Sequence, residues 1–504
     1  MTNDTAAPRT ENTPTVDAQS AAIASRNRMA LVLLLAAVFV VFLNETMMSV
    51  ALPKIQESLG IDATQGQWLT TAFALTMAVV IPITGWLLQR LNTRPVFILA
   101  MALFTLGTLI AALSPVFETL IIGRVVQATG TAIMMPLMMT TVMTVVPFGE
   151  RGRMMGRISI VMSVAPAIGP AVSGALLQIL PWQGLFFVML PIAVTMLLIG
   201  LRWVPNVTET RAVPLDVPSV ILSAVGFSSL VYGLSSIGAA AVGTVAVAPW
   251  APIALGVAVL GIFIWRQVLL QRTDSALLDL RTFKSRNFTL SIALLATAML
   301  ALFGTIIVVP QFARYALGLD TLWVGLLLLP GGLAMGLLGP LVGRLYDKYG
   351  PRPLIVPGAV ALSAALWIMA FTLDEGSSWL LLLGAYFLLS LGLAFIFTPL
   401  FSTSLGSIPP YLYSHGSATV ATLQQVAGAA GTAVFVALYA TGLALAGNAD
   451  PEHPSAGEAA SGSHLAFMAG GFISLAVILI TFFITKPVEP EHEGVEGSVS
   501  AAAH

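Results

Sequence analysis

Two similar stretches of this chain lie 258 residues apart: Gly85-Trp-Leu-Leu-Gln89-Arg90-Leu-Asn92-Thr93-Arg94 and Gly343-Arg-Leu-Tyr-Asp347-Lys348-Tyr-Gly350-Pro-Arg352. Each is a short basic turn that joins one long apolar segment to the next. A pattern repeated in this way predicts two structurally related halves with a binding site between them, which is how membrane transporters are built.

The composition agrees with a membrane protein. Hydrophobic residues make up 57% of the 504 residues and charged residues only 9%, too few to cover a soluble surface. The net charge of −1 and the lack of a basic arm argue against nucleic acid as a partner. Because there are no cysteines, disulfides, thiolate metal sites and cysteine catalysis are excluded.

Fourteen apolar segments are long enough to cross a hydrocarbon core of about 30 Å, which takes roughly 20 helical residues. Only helices satisfy the backbone at that depth with so little alternation, so we expect an all-α membrane protein. The predicted spans are 29–52, 67–88, 95–114, 119–146, 154–178, 184–204, 217–237, 244–265, 288–310, 322–342, 353–373, 379–402, 416–446 and 464–485.

The basic residues predict the orientation. Of the 22 lysines and arginines, 19 lie in segments that an N-terminus-inside topology makes cytoplasmic; the exceptions are Lys54, Arg314 and the intramembrane Arg124. Both termini are therefore expected in the cytoplasm. The first 28 residues lack the features of a signal peptide, and we predict that they form a disordered tail.

The repeated turns divide the spans, because the first follows span 2 and the second follows span 10. We predict two six-helix bundles with two helices inserted between them. The expected segments are a tail at 1–28, a bundle at 29–204, a two-helix linker at 205–287, a second bundle at 288–485 and a tail at 486–504. No loop is long enough for a soluble catalytic domain, so an enzyme is not expected.

Several further motifs occur in a specific order along residues 29–486. With the two basic turns, the chain resembles the fourteen-span drug:proton antiporter family, the EmrB/QacA type, of the major facilitator superfamily. The resemblance implies two six-helix bundles that rock about a central cavity. The motifs are Ser49-Val-Ala-Leu-Pro53, Arg124-Val-Val-Gln127, Gly169-Pro170 with Gly174, Leu277-Leu-Asp279-Leu, and Leu423-Gln424-Gln425-Val-Ala-Gly428.

The positions of the lysines limit which energy sources could drive transport. A nucleotide pump needs a glycine-rich loop that ends in Gly-Lys-Ser or Gly-Lys-Thr. None of the lysines, Lys54, Lys284, Lys348 and Lys486, follows a glycine. Transport is then passive or driven by an ion gradient, and no cofactor other than a proton gradient is expected.

Glu45 is the candidate proton site, because it interrupts the apolar run 31–43. A carboxylate at such a depth costs several kcal/mol unless it is paired, hydrated or protonated. We expect Glu45 and Arg124 to share one layer of the membrane and to sense each other through a cavity. Members of the family that the chain resembles carry Asp at the position of Asn44, so the carboxylate has moved one residue, roughly 100° around the helix. The alternatives are a Glu45 that reaches the headgroups and an Arg124 held in a static ion pair.

The basic turns are interpreted as conformational latches formed by Gly85, Arg90, Arg94, Gly343, Asp347, Lys348, Gly350 and Arg352. Asp347 can accept hydrogen bonds from a neighbouring helix N-terminus or an arginine. The first copy has Gln89 instead of an acid, so its latch should be weaker. The alternative is that these turns act only as topology signals.

Gly156, Gly169, Pro170 and Gly174 are typical of the fifth helix of antiporters in the family that the chain resembles, with ordinary helix packing as the alternative. For the substrate cavity, Asn44, Gln127, Met138 and Gln424 are the candidates, because polar and flexible thioether side chains suit varied amphiphiles. No two of the five histidines have the spacing of metal ligands, and no metal site is expected.

The sequence therefore predicts a multi-pass protein of the bacterial inner membrane. We expect it to be a proton-coupled exporter of several drugs or lipophilic, often cationic compounds. The partners would be small amphiphiles, protons and the bilayer, with no nucleic acid and no obligate protein partner. One alternative is an exporter of a single endogenous metabolite, peptide-like or lipid-like. Another is a receptor or scaffold that descends from a transporter without moving a ligand.

Overall fold

In a computed structural model, which describes residues 16–208, 210–211, 213–241, 247–447 and 454–487, fourteen helices are long and apolar enough to span a membrane. This confirms the predicted all-α fold and its number of spans. The helices are α1 (Val16–Leu59), α2 (Ala63–Arg90), α3 (Thr93–Ala112), α4 (Phe117–Val145), α5 (Arg151–Leu176), α6 (Gln183–Trp203), α7 (Val217–Ala241), α8 (Trp250–Leu270), α9 (Arg286–Gln311), α10 (Thr321–Tyr349), α11 (Arg352–Thr372), α12 (Trp379–Gly406), α13 (Tyr413–Leu445) and α14 (Ala456–Thr481).

Two helices, α1 and α14, begin well before the predicted residue, by at least about two helical turns. α1 starts at Val16, so the expected disorder of residues 1–28 does not hold for residues 16–28; residues 1–15 lie outside the described part. That stretch is rich in alanine, the best helix former, and it continues directly into the first span. α14 starts at Ala456 because Ser455 and Glu458 form a capping box. α8, by contrast, starts later than expected, at Trp250.

The helices pack as two related groups. α1 packs on α2, α4, α5 and α6, whereas α9 packs on α12, α13 and α14. The inserted helices α7 and α8 form a hairpin, and α7 lies against both α2 and α13. An ion pair between Arg266 and Asp216 (2.7 Å) fixes the base of that hairpin. The inserted pair therefore contacts both groups of six helices.

The two groups meet along two seams, which we name by their helices. In the α5–α10 seam the glycines Gly152 and Gly156 face Gly343 and Gly339, so the backbones touch directly. In the α2–α13 seam, Ile81 packs against Ala421. The main packing partners of α1 and α9 lie within their own groups. The halves are thus joined most closely at the end that holds the repeated turns, which we call the basic end.

The repeat is visible in the contacts of two arginines. Arg94 at the start of α3 donates a hydrogen bond to the carbonyl of Leu201 near the end of α6. Arg352, which is 258 residues later, does the same to the carbonyl of Phe482 after α14. Cations favour the carbonyl ends of helices, so each arginine ties the third helix of a half to its last helix.

Candidate functional site

Two polar side chains interrupt the apolar middle of α1. Asn44 is 4% exposed, and its Oδ1 has no hydrogen-bond partner. Glu45 is partly buried, and its Oε2 is shielded from solvent without a partner. Buried polar atoms are normally hydrogen-bonded, so unpartnered oxygens on consecutive residues are typical of a working site rather than of packing.

A chain of hydrogen bonds fixes Arg124, which is 1% exposed. Its Nη1 donates to Oε1 of Gln127 (2.6 Å), one helical turn away. Nε2 of Gln127 then donates to the hydroxyl of Thr108 on α3 (2.8 Å). The guanidinium also lies over the ring of Phe73 on α2, 4.1 Å from the ring centroid. Three helices therefore hold one cation, whose Nε has no partner.

Glu45 and Arg124 interact electrostatically without touching. The charge of the Arg124 guanidinium acts on the Glu45 carboxyl, and the charge of Glu45 acts on Arg124. None of the ion pairs found within the described residues includes either of them. That the two residues share a layer stays a prediction, whereas the static ion pair considered for Arg124 is not formed with Glu45. A carboxylate without a direct partner can exchange a proton without first breaking an ion pair.

The predicted cavity residues have different surroundings. Met138 is 0% exposed within the hydrophobic core, so its expected position on a cavity does not match this conformation. Gln127 is equally buried, and its side chain accepts the hydrogen bond that holds the Arg124 guanidinium. Gln424 is partly buried, but its neighbour Gln425 is the one that crosses the seam, donating to the carbonyl of Ala74 (3.5 Å).

Sequence reasoning missed Phe73, Thr108 and Gln425. Phe73 and Thr108 stand in α2 and α3 amid apolar residues, where an aromatic ring or a hydroxyl gives no signal of its own. Gln425 lies within a motif that had been singled out, beside the glutamine chosen as the candidate. Only the packing of the helices reveals which side chains meet.

Asp347 joins the halves at the basic end. Its two carboxylate oxygens accept hydrogen bonds from the backbone N–H groups of Gly152 (2.7 Å) and Arg153 (2.8 Å). The carboxylate of α10 thus caps the first turn of α5, as predicted for this residue, and it also complements the helix dipole. Gly343 allows the approach, because a Cβ there would collide with the carbonyl of Gly152.

Among the other predicted latch residues, Gly85 faces His415 of the other half, whereas Arg94 and Arg352 bind within their own halves, and the latch role stays a prediction. Gly350 ends α10 with a positive φ of 80°, which favours glycine. Arg90 and Lys348 are exposed. Asp347 with Gly343 forms a contact between the halves, whereas the backbone carbonyl of Gln89 accepts a hydrogen bond from the backbone N–H of Arg211.

The candidate residues of α5 face different neighbours. Gly156 meets the backbone of Gly339 in the α5–α10 seam. Gly169 meets Thr46 on α1, the residue after Glu45, so close packing reaches the carboxylate site. Pro170 is exposed, and a Cβ on Gly174 would meet open space. Ordinary packing, the alternative considered from the sequence, therefore explains Gly156 and Gly169 but not Gly174, and the antiporter interpretation stays a prediction.

The segment between α8 and α9 is fixed at the α2–α13 seam. Oε1 of Gln267 accepts from the backbone N–H of Leu277 (2.8 Å), and Asp279 binds Arg281. The hydrogen bond to Asp279 raises the pKa of Arg281. At the start of α7, the hydrogen bonds from Arg266 lower the pKa of Asp216 to about 2. Arg281 and Arg266 each bind a carboxylate and therefore keep their positive charge at ordinary pH.

Known proteins match this chain over most of its length. The model of the Major Facilitator Superfamily matches residues 34–432. The lincomycin resistance protein LmrB of Listeria monocytogenes is 38% identical over 452 residues, 89% of this chain and 94% of that protein. The multidrug export protein EmrB of Escherichia coli is 27% identical over 413 residues, 80% of this chain and 78% of that protein.

A solved structure supports the fold independently of the sequence. The human organic anion transporter TETRAN superposes with a TM-score of 0.64 at 14% identity, covering 90% of this chain and 99% of that one. The superposition shows that the two proteins share one helical fold. The matching family and the relatives are transporters, not enzymes. The chain belongs to the Major Facilitator Superfamily and is a membrane transporter close to the fourteen-span drug:proton antiporters of the EmrB type.

Proposed function

We propose that this protein exports amphiphilic compounds in exchange for protons, and that Glu45 carries the proton. One observation supports this most directly: the Glu45 carboxyl has an unpartnered, shielded oxygen and interacts with the fixed cation Arg124 without an ion pair. Removal from water opposes the charged carboxylate, and a nearby cation supports it. A protein that changes this balance between two conformations can exchange a proton for a substrate.

The fixed cation has a definite part in this scheme. Arg124 keeps its charge at ordinary pH, so it does not carry the proton. Its hydrogen bonds to Gln127 and its stacking on Phe73 hold the guanidinium at a set distance from Glu45. A conformational change that moves α1 relative to α4 alters that distance. The affinity of Glu45 for a proton then follows the conformation.

For the substrate we infer small amphiphiles, often cationic. The unpartnered Asn44 amide oxygen and the Glu45 carboxyl offer acceptors on one turn of α1. A lipophilic cation would bind the carboxylate and displace its proton, which makes the two ligands exclusive. Relatives named for lincomycin resistance and for multidrug export support export of drug-like compounds.

We further propose that the basic end faces the cytoplasm of a bacterium, with both termini on that side, because 19 of the 22 lysines and arginines lie in segments that this orientation makes cytoplasmic. The described conformation is closed at this end, where Asp347 caps α5 and the α5–α10 seam is tight. It would thus present the Glu45 region toward the exterior. The opposite conformation would require separation of the Asp347 cap.

The test uses inverted membrane vesicles with an acidic lumen, to which a panel of lipophilic cations is added. Substrate-triggered release of protons is expected from the wild type and is expected to vanish in Glu45→Gln. The matched control is Glu57→Gln, which removes an exposed carboxylate from the same helix. Release that persists in Glu45→Gln would place the proton elsewhere, and silence of the wild type across the panel would favour a single natural substrate.

A further inference from the structure

His415 is a buried titratable side chain that the proposed exchange at Glu45 does not use. It lies in the first turn of α13 and is 3% exposed. Its Nδ1 is shielded from solvent and has no hydrogen-bond partner. Histidine is the side chain whose charge ordinarily changes between pH 5 and 8, so an unpartnered buried imidazole is a candidate for a proton site.

The imidazole lies at the boundary between the two halves. A Cβ on Gly85 of α2 would be only 3.1 Å from Nδ1 of His415, and 3.4 Å from the carbonyl oxygen of Leu277. The ring is therefore enclosed between α2 of the first half, the segment before α9, and its own helix. Because even a Cβ on Gly85 would lie closer to Nδ1 than ordinary van der Waals contact, no water molecule fits between Gly85 and the ring while the seam is closed.

The position is the counterpart of the Asp347 cap in the other seam. Gly85 and Gly343 are separated by the repeat of 258 residues. Gly343 faces the first turn of α5 at Gly152, and Gly85 faces the first turn of α13 at His415. In the α5–α10 seam a carboxylate closes the joint, whereas Gln89 replaces that acid in the α2–α13 seam. There, a histidine occupies the joint instead.

The charged groups around His415 come from more than one element. Asp279 and Arg281, in the segment before α9, act on the imidazole. They already bind each other, so the carboxylate is shared. On α5, the guanidinium carbon of Arg151 lies 5.4 Å from the ring centroid of Tyr413, the first residue of α13. On α2, the first charged residue after Gly85 is Arg90, which is exposed.

We propose that His415 is a second proton-binding site, and that its protonation opens the α2–α13 seam at the basic end. In the closed seam an imidazolium would be shielded from water and would lie near Arg281, a cation of like charge, and the backbone carbonyl of Leu277 would offset this cost only in part. Separation of α2 from α13 admits water to the ring and removes that cost. Acidification on the basic side thus favours the open seam, whichever compound is transported.

The test exploits the absence of cysteine from the chain. Ala421→Cys places one thiol in the seam, where Ala421 packs against Ile81. The full-length protein in nanodiscs is labelled with a maleimide between pH 5.5 and 8, with rates corrected for the thiolate fraction. We expect the corrected rate to rise on acidification, by up to about tenfold for each pH unit that separates the proton affinities of the two conformations.

Three further variants make the test decisive. In His415→Gln the pH dependence should disappear, whereas His464→Gln, at the opposite end of the bundle, should retain it. Asp279→Asn removes a negative charge near the imidazole and should move the midpoint down by about one pH unit. A corrected rate that does not change with pH in Ala421→Cys, or one that keeps its pH dependence in His415→Gln, would overturn the proposal. Neither result bears on proton exchange at Glu45, since no substrate is added.

Discussion

The carboxylate of Asp347 on α10 accepts a hydrogen bond (2.7 Å) from the backbone N–H of Gly152 in the first turn of α5. A side chain of one half therefore caps a helix of the other. Its second oxygen binds the next backbone N–H, that of Arg153. The cap can exist only while the two halves are together at the basic end. It therefore contributes its free energy to one conformation of the transport cycle and not to the other.

Asp347→Ala is expected to shift the protein toward the conformation that is open at the basic end. Loss of a helix cap costs about 0.5–2 kcal/mol, which is roughly a 2- to 30-fold change in the ratio of the two conformations. Ser402→Cys, whose hydroxyl is buried and unpartnered near Asp347, reports the change as faster maleimide labelling. Gln89→Ala, at the matching position of the first copy, should leave the labelling rate unchanged.

The glycines of α5 should differ sharply in their tolerance of a methyl group. A Cβ on Gly156 would collide with the Gly339 carbonyl, so Gly156→Ala should destabilise the protein by about 1–3 kcal/mol. Gly174→Ala is the control, since a Cβ there meets open space and alanine favours the helix. Thermal unfolding in detergent measures both. Equal midpoints for the two variants would contradict the described seam.

Gln127 should matter for both coupling and folding. Gln127→Leu removes the acceptor of Arg124 and leaves a buried guanidinium N–H unpaired, at a cost of about 1–3 kcal/mol. The cation is then free to approach Glu45, and substrate-triggered proton release should fall at least about tenfold. Thr129→Val, at a partly buried position of the same helix outside the hydrogen-bond chain of Arg124, should keep wild-type release. The measurement is the vesicle assay described for Glu45.

The hydroxyl contact between Ser159 on α5 and Thr398 on α12 joins the halves (2.7 Å). A double-mutant cycle with Ser159→Ala and Thr398→Val should give a coupling free energy of about 0.5–1.5 kcal/mol in thermal or chemical unfolding. Additive effects of the two substitutions would mean that the contact contributes nothing to the conformation that unfolds. The pair Thr129→Val and Ser159→Ala, which share no contact, serves as the additive control.

The ion pair at the base of the α7–α8 hairpin predicts a pH dependence. The pKa of Asp216 falls to about 2 because Arg266 donates hydrogen bonds to its carboxylate. The stabilisation is therefore complete above the ordinary aspartate pKa near 3.9 and is lost as the pH falls toward 2. Asp216→Asn should cost about 1 kcal/mol at pH 7 and progressively less below pH 4. Glu57→Gln, an exposed carboxylate, is the control for the thermal unfolding series.

The number of helices, the two halves and the candidate charges could be predicted from the sequence, because each depends on local or repeated chemistry. Apolar length predicts a span, and the repeated turns predict related halves. Glu45 and Arg124 are conspicuous because a charge is costly in an apolar segment. Phe73 and Thr108 gave no such signal, since neither side chain is unusual in a membrane helix.

Which side chains meet was decided by the tertiary structure alone. The sequence could not tell Gly156, which contacts Gly339, from Gly174, which contacts nothing across the seam. It also could not show that Arg94 and Arg352 bind within their own halves, or that His415 lies against Gly85. Hydrophobicity determines that a segment crosses the membrane, whereas the rotation and crossing of each helix depend on the close packing of its neighbours. The sequence by itself therefore determined the architecture and the charges, and helix packing decided which of those charges are neighbours.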